Sequence, residues 1–251
     1  MGLQQVNTDD AWGPTPDYLQ QAKDRIGKLK NHGIFTPPSL QGTLVTPSNV
    51  GGMNWSGASF DPERNLLITN TNRLAALITL YKRDDDSPKS INMKYPRAEI
   101  GRQEGTPYLM SRDYLFTMSP EDGLIMQTQP PWGTLAAIDM KSGQLKWEVP
   151  LGFMMDPEKY PDSKKWGSIN IGGAITTAGG LVFIAASSDG FLRAFKTATG
   201  ELIWEQALPA GGQATPMTYQ VEGKQYVVIA AGGHGKLGTK LGDYLVAFAI
   251  H

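Results

Sequence analysis

Short apolar runs separated by glycine-rich turns cover much of the chain. Leu181-Val-Phe-Ile-Ala-Ala186 lies between Ala178-Gly179-Gly180 and Ser187-Ser188-Asp189-Gly190, and Phe191–Phe195 follows. One stretch recurs. Ala137-Ile-Asp-Met-Lys-Ser-Gly-Gln-Leu-Lys-Trp147-Glu148 returns as Ala194-Phe-Lys-Thr-Ala-Thr-Gly-Glu-Leu-Ile-Trp204-Glu205. A repeat of this size marks a recurring supersecondary unit. Each copy predicts strand, tight turn, strand, with Gly143 or Gly200 supplying the positive φ of the turn. The Leu and Trp that follow stand two apart, which places them on one face of a strand. A Trp buries a large area and can dock neighbouring sheets.

The pattern extends the repeat into blades. Ile175–Thr177, Leu181–Ala186, Phe191–Phe195 and the strand of Trp204 give four antiparallel strands, one blade over residues 171–207. Ala214–Tyr219, Gln225–Ala230 and Asp243–Ile250 give an incomplete last blade over 213–251. Upstream, Trp55–Phe60, the turn Asp61-Pro62, Leu66–Asn70, Thr134–Asp139 and Leu145–Val149 form a blade over 54–149. Its halves are separated by an insert, residues 73–131, rich in Pro, Met, Asp and Arg; inserts of that length are functional or disordered. One helix is signalled over 15–31. Thr15 can cap it, Pro16 and Asp17 suit the first turn, and Asn31-His32-Gly33 stops it. It is expected outside the blades, as cover over an edge. The expectation is all-β: a partial β-propeller domain over 1–251, with about three four-stranded blades, Trp docking, one N-terminal helix and a long insert.

Composition narrows the function classes. The 251 residues include 29 Gly and 17 Pro, which suits a turn-rich all-β chain. A net charge of −1 gives no electrostatic case for nucleic acid or an anionic membrane. The absence of Cys removes disulfides and thiolate metal sites. No run of 18 apolar residues is present, and no apolar leader is visible at the N-terminus. Asp84-Asp85-Asp86 reads as a solvated acidic turn rather than a Ca²⁺ loop, because no spaced oxygen ligands follow it.

Several segments together resemble the quinoprotein dehydrogenases that use pyrroloquinoline quinone (PQQ), in particular the membrane-type glucose dehydrogenases. They are Gly33-Ile-Phe-Thr-Pro-Pro-Ser39, Gln41-Gly-Thr-Leu-Val45, Gly51-Gly-Met-Asn-Trp55, Gly172-Gly-Ala-Ile-Thr-Thr-Ala-Gly179, Leu208-Pro-Ala-Gly-Gly-Gln-Ala-Thr-Pro-Met-Thr-Tyr219 and Ala231-Gly-Gly-His-Gly235 with Gly238-Thr-Lys240. The resemblance implies an eight-bladed propeller with PQQ and Ca²⁺ on its axis, of which this chain looks like the C-terminal portion. It places the catalytic Asp and the Ca²⁺ carboxylates upstream, so no catalytic or metal-binding residue is assigned here. The whole enzyme is expected at the periplasmic side of a membrane, oxidising an aldose to its lactone and passing electrons to a respiratory quinone.

The resemblance also singles out residues. Gly172-Gly173 and Gly232-Gly233 suit close approach of backbone to a flat cofactor, or are plain turn glycines. Asn54 matches an Asn that contacts the quinone in related alcohol dehydrogenases; Trp55 reads as core. His234 corresponds to a position near bound sugar, and histidine can donate to a hydroxyl and carry a proton near neutral pH. Lys240 either meets PQQ carboxylates or pairs with Asp243. An alternative from the strands alone is a non-catalytic scaffold. Its open blade edges would seek the missing N-terminal blades or a second copy.

Overall fold

The computed structural model describes residues 5–53, 56–96 and 98–249. Asn54 and Trp55 lie outside them. Helix α1 (Pro16–Ile26) precedes strand β1 (Thr43–Val45). Then come β2 (Ser59–Asp61), β3 (Leu66–Asn72), β4 (Ala76–Lys82), helix α2 (Pro88–Lys94), β5 (Glu99–Gly101), β6 (Tyr108–Tyr114), β7 (Phe116–Ser119) and β8 (Gly123–Met126). Strands β9 (Gly133–Asp139) and β10 (Leu145–Pro150), helix α3 (Ser163–Trp166), β11 (Ala174–Thr176), β12 (Leu181–Ile184), β13 (Phe191–Lys196) and β14 (Leu202–Ala207) follow. Last are β15 (Met217–Val221), β16 (Lys224–Ala231) and β17 (Tyr244–Ala249). The chain separates into two compact units: Met1–Gly51 with Arg73–Pro130, and Gly52–Asn72 with Pro131–His251.

The second unit carries three antiparallel sheets, ordered β10-β9-β3-β2, β11-β12-β13-β14 and β15-β16-β17. The middle sheet explains the unbroken apolar run at 181–186. Val182, Ile184 and Ala186 pack with Leu66, Ile68, Leu135 and Leu151 of the first sheet and its flank. The alternate residues Phe183 and Ala185 pack with Val227 and Ile229 of the third. A strand covered on both faces has no solvent side to alternate toward.

The two copies of the repeat share a register and a defect. Leu145 pairs with Ile138 and Trp147 with Ala137; Leu202 pairs with Phe195 and Trp204 with Ala194. In each copy one residue, Lys146 or Ile203, is left over as a β-bulge between Leu and Trp. A bulge turns the following side chain to the opposite face. The Leu and Trp expected on one face are therefore on opposite faces: Leu145 and Leu202 are exposed, at 52% and 44%, while both Trp residues are half-buried.

The bulge aims Trp147 at the next sheet. Its Nε1–H donates to the Thr197 carbonyl at 2.8 Å, and its ring lies over buried Gly200. A Cβ at Gly200, where φ is +72°, would stand 2.6 Å from that ring. So the Trp of the first copy docks on the turn of the second. Trp204 meets Phe248 of β17 edge-on instead, with centroids 5.2 Å apart. Asp61 adds a polar tie between the first two sheets. Its buried carboxylate accepts the Thr197 hydroxyl at 2.6 Å, the backbone N–H groups of Glu63 and Arg64, and the Arg64 guanidinium. Burial pushes this carboxyl up, but the hydrogen bonds from Thr197 and Arg64 outweigh it and hold the group below its ordinary 3.8.

The first unit is built from the N-terminal segment and most of the segment read as an insert. Its sheet, ordered β1-β4-β6-β5, pairs Thr43 with Ile78, and β7 with β8 forms a separate hairpin. Helix α1 buries Ala22 and Ile26 against Leu44, Ala75 and Leu115. It ends at Ile26, with Gly27 as its C-cap, short of Asn31-His32-Gly33; the Thr15 side chain makes no capping bond. The short helix α2 in the same unit carries a Ser87–Ser90 capping box, and the short helix α3 belongs to the second unit. Asp84–Asp86 form the turn that leads into α2, with the Asp85 and Asp86 amides bonded to the Lys82 carbonyl.

Trp147→Ala removes the docking ring and is expected to destabilise the chain by about 3 kcal/mol in urea denaturation. Gly200→Ala should match it, because the added methyl displaces the same ring. Asp61 gives a pH dependence. Its folded pKa is depressed, so its stabilisation is complete above the ordinary value and is lost as pH falls through the folded one. Thermal melts from pH 6 to pH 3 should show a decline below about pH 4 that is shallower in Asp61→Asn.

Candidate functional site

Three loops meet where β11, β13, β15 and β17 begin. They are residues 170–173 before β11, 208–215 between β14 and β15, and 232–243 between β16 and β17. Antiparallel order brings these loops to one end of the middle and last sheets.

Thr239, buried between two loops, ties them. Its hydroxyl accepts the His234 N–H at 2.7 Å and donates to Gln213 Oε1 at 3.1 Å. Gln213 Nε2 then reaches the Ser187 carbonyl at 3.1 Å. Gly233 N–H bonds Gly211 O, and Gly211 N–H bonds Lys240 O. Below them, Arg193 and Asp189 form a buried bidentate pair, with Arg193 Nη2 to Asp189 Oδ2 at 2.6 Å. Ser187 is clamped between them, donating to Asp189 and accepting from Arg193. A paired and hydrogen-bonded buried charge of this kind fixes geometry more than it adds stability.

A second tie runs to the first sheet through amides alone. Asn70 Nδ2 donates to Asn170 Oδ1 at 2.6 Å and to Gly172 O at 3.1 Å. Asn72 Nδ2 donates to Asn170 O, and Asn170 N–H returns to Asn72 Oδ1. All three Asn residues are buried. The sequence reading passed over them, although two Asn at spacing two inside a strand were a signal, since Asn is depleted in strands.

The glycine pairs divide. A Cβ at Gly172, φ +146°, would lie 2.7 Å from Gln213 O, and one at Gly173 would lie 2.5 Å from Thr215 Oγ1. Gly233, φ +73°, is pressed against the Lys240 carbonyl. At these three the missing side chain lets loops pack on each other. Gly232 is exposed; its carbonyl accepts the Gly242 N–H at 3.1 Å, and a Cβ there would come no closer than 3.8 Å to Gly242 O, so the face of this residue is open to approach.

His234 is half-buried and caps the 3-10 turn Gly235–Leu237, its Nδ1 accepting the Leu237 N–H at 3.3 Å. An accepting Nδ1 leaves the neutral ring protonated on Nε2, so the free edge of His234 is a donor. Lys240 is exposed, and no ion pair joins it to Asp243 among the described residues. No group of three His, Asp or Glu side chains is placed to hold a metal among those residues.

Antiparallel sheets stacked through a docked Trp, with loops converging at one end of the strands, define a stretch of β-propeller. Residues 1–227 match the family described as "PQQ: Glucose/ethanol/alcohol dehydrogenase, beta-propeller domain", and the chain belongs to it. It is 42% identical over 249 residues to "Quinoprotein glucose dehydrogenase" of Escherichia coli (strain K12), covering 96% of this chain and 31% of that protein. Identity is 41% over 246 residues to "Quinoprotein glucose dehydrogenase A" of Acinetobacter calcoaceticus, covering 96% and 30%. It is 35% over 260 residues to "Quinate/shikimate dehydrogenase (quinone)" of Acinetobacter baylyi, covering 100% and 32%. The chain thus spans about a third of the length of these relatives. Among solved structures, the europium-containing methanol dehydrogenase aligns at TM-score 0.56, with 20% identity over 83% of this chain and 35% of that one. The quinohemoprotein alcohol dehydrogenase of Comamonas testosteroni aligns at 0.52, with 22% identity over 88% and 29%. At these identities the likeness is one of fold.

The loops suit part of a quinone's rim. Lys240 offers a cation with no carboxylate partner among the described residues, Gly232 an exposed face and His234 an Nε2–H donor. Thr239→Val deletes the acceptor for His234 N–H and should cost about 1–2 kcal/mol, with faster amide exchange at His234. Gly233→Ala should do more, because its methyl cannot pass the Lys240 carbonyl.

Proposed function

We propose that this chain contributes a cofactor- and sugar-contacting part of a PQQ-dependent aldose dehydrogenase. The observation that carries this reading is the convergence of His234, Lys240 and Gly232 on one loop, in a chain 42% identical to a quinoprotein glucose dehydrogenase. When bound, PQQ supplies the two-electron acceptor, polarised by Ca²⁺, for conversion of an aldose to its lactone. Lys240 holds a cofactor carboxylate, Gly232 offers backbone beside the ring, and Asn54 donates at the rim. The Nε2–H of His234 orients a sugar hydroxyl, while the Leu237 N–H on Nδ1 keeps the ring from turning. The catalytic Asp and the Ca²⁺ carboxylates belong to the remainder of a longer protein, which works at the periplasmic side of a membrane and delivers electrons to a respiratory quinone.

A second reading rests on exposed strands. All five residues of β15 are exposed, and Leu245 of β17 is 76% exposed. A chain used as a scaffold would pair these edges with further blades or with a second copy.

The readings separate in the full-length enzyme. His234→Ala is expected to lower kcat/KM for aldose about 100-fold with PQQ affinity within about two-fold, and His234→Asn, which can still cap and donate, to recover part of it. Lys240→Ala should weaken PQQ binding about ten-fold. Unchanged aldose oxidation in His234→Ala would overturn the sugar contact. PQQ affinity unchanged in Lys240→Ala would favour the scaffold.

A further inference from the structure

The loop that carries His234 is tied to the middle sheet through a file of polar groups, and the donor and acceptor capacities of those groups fix its direction. The Ser187 carbonyl can only accept, so the Gln213 atom 3.1 Å from it is the amide nitrogen. That turns Gln213 Oε1, itself only an acceptor, toward Thr239 Oγ1 at 3.1 Å, and the Thr239 hydroxyl must donate to it. With its proton committed there, the hydroxyl keeps a lone pair for the His234 N–H at 2.7 Å. Every proton in the file points from His234 toward Ser187, and bonds aligned in this way polarise one another.

The two ends of the file differ. Ser187 is buried, and its hydroxyl is held between Asp189 and Arg193. His234 lies half-buried on the largely exposed loop between β16 and β17. Gln213 stands between them, and the backbone leaves it room. A Cβ at Gly211 would lie 2.5 Å from Gln213 Oε1 and 2.6 Å from Thr239 Oγ1. A neutral amide is the group that fits this place, because it offers a donor at one end and an acceptor at the other. An ionised carboxylate would fail at the Ser187 carbonyl, and a hydrocarbon would fail at both ends.

We propose that Gln213 is a positioning residue for His234. It passes the fixed place of the Ser187 carbonyl through Thr239 to the His234 backbone, and so holds the imidazole where its Nε2–H meets a sugar hydroxyl. The proposal rests on the sugar contact assigned above to His234. It adds that this contact depends on the middle sheet, through a side chain of the 208–215 loop that acts only by way of Thr239. A loop positioned in this way binds substrate without first having to be ordered by it.

Substitution of Gln213 in the full-length enzyme tests it. Gln213→Leu removes both bonds and should raise KM for aldose about ten-fold, with kcat and PQQ affinity within about two-fold. Gln213→Glu gives the sharper reading. Its protonated carboxyl can donate to Ser187 and accept from Thr239, whereas its carboxylate cannot donate. A half-buried carboxyl facing a carbonyl titrates above the ordinary Glu value of about 4.3. The charges nearby are Arg193 and Asp189, which pair with each other, and the exposed Lys240 beyond Thr239. The KM of Gln213→Glu relative to the parent should therefore rise from about one at pH 5 to about ten at pH 8. In the 251-residue chain, without cofactor or sugar, amide exchange at His234 relative to the parent should quicken over the same range. A lowered Tm with KM unchanged in Gln213→Leu would make the residue merely structural and overturn the proposal, as would a KM ratio in Gln213→Glu that ignores pH. His234→Ala, run alongside, separates the two readings. If it leaves aldose oxidation unchanged, the sugar contact fails and the proposal with it. If it lowers kcat/KM while Gln213→Leu leaves KM unchanged, only the proposal fails.

Discussion

The second unit depends on a strand that has no solvent side. β12 is covered by one neighbouring sheet on each face, so it can form only once both neighbours are in place. The Trp147–Gly200 contact sets the spacing of one of those interfaces, because nothing larger than hydrogen fits beneath the ring. The bulge at Lys146 is what points the ring there. A turn glycine, a displaced register and an indole together act as one joint, and the loops at the other end of the sheets inherit their positions from it.

Where structure follows local pattern, the sequence was readable. The middle and last sheets of the second unit arise from local antiparallel connections, the first also joins β3 to β9 across the long insert, and the strands fall close to the expected places. The pairing of the N-terminal segment with the insert was not readable. Thr43 of β1 meets Ile78 of β4, and nothing in the Pro-, Met- and Asp-rich stretch after residue 73 advertises that partner. The bulge was hidden for another reason: Leu and Trp at spacing two look like one face unless the left-over residue is known. Helix α1 stops early because Gly27 caps it before the stronger stop signal is reached.

The candidate site was partly legible. Gly172, Gly173, Gly232, Gly233, His234 and Lys240 are singled out by the resemblance, and the glycine pairs also by lying at strand edges. Their positioning partners did not. Thr239, Gln213 and Asn170 are unremarkable one by one, and their role exists only through contacts between loops far apart in the chain. The tautomer of His234, by contrast, is set by a local contact, the amide of Leu237 three residues on.

The two polar ties that hold the first sheet to the middle sheet differ in kind. At the end of β2, opposite the start of β3, the tie is charge-assisted, the carboxylate of Asp61 on the Thr197 hydroxyl. At the end of β3 the tie is neutral, the amides of Asn70 and Asn72 on Asn170. Amides do not titrate, so acid reaches only the first. In an acidic medium the tie at the docking turn would therefore be lost first, while the three-asparagine tie at the opposite end of β3 stayed laced. The joint between these two sheets has, in effect, an acid-sensitive heel and an acid-indifferent toe built of three asparagines.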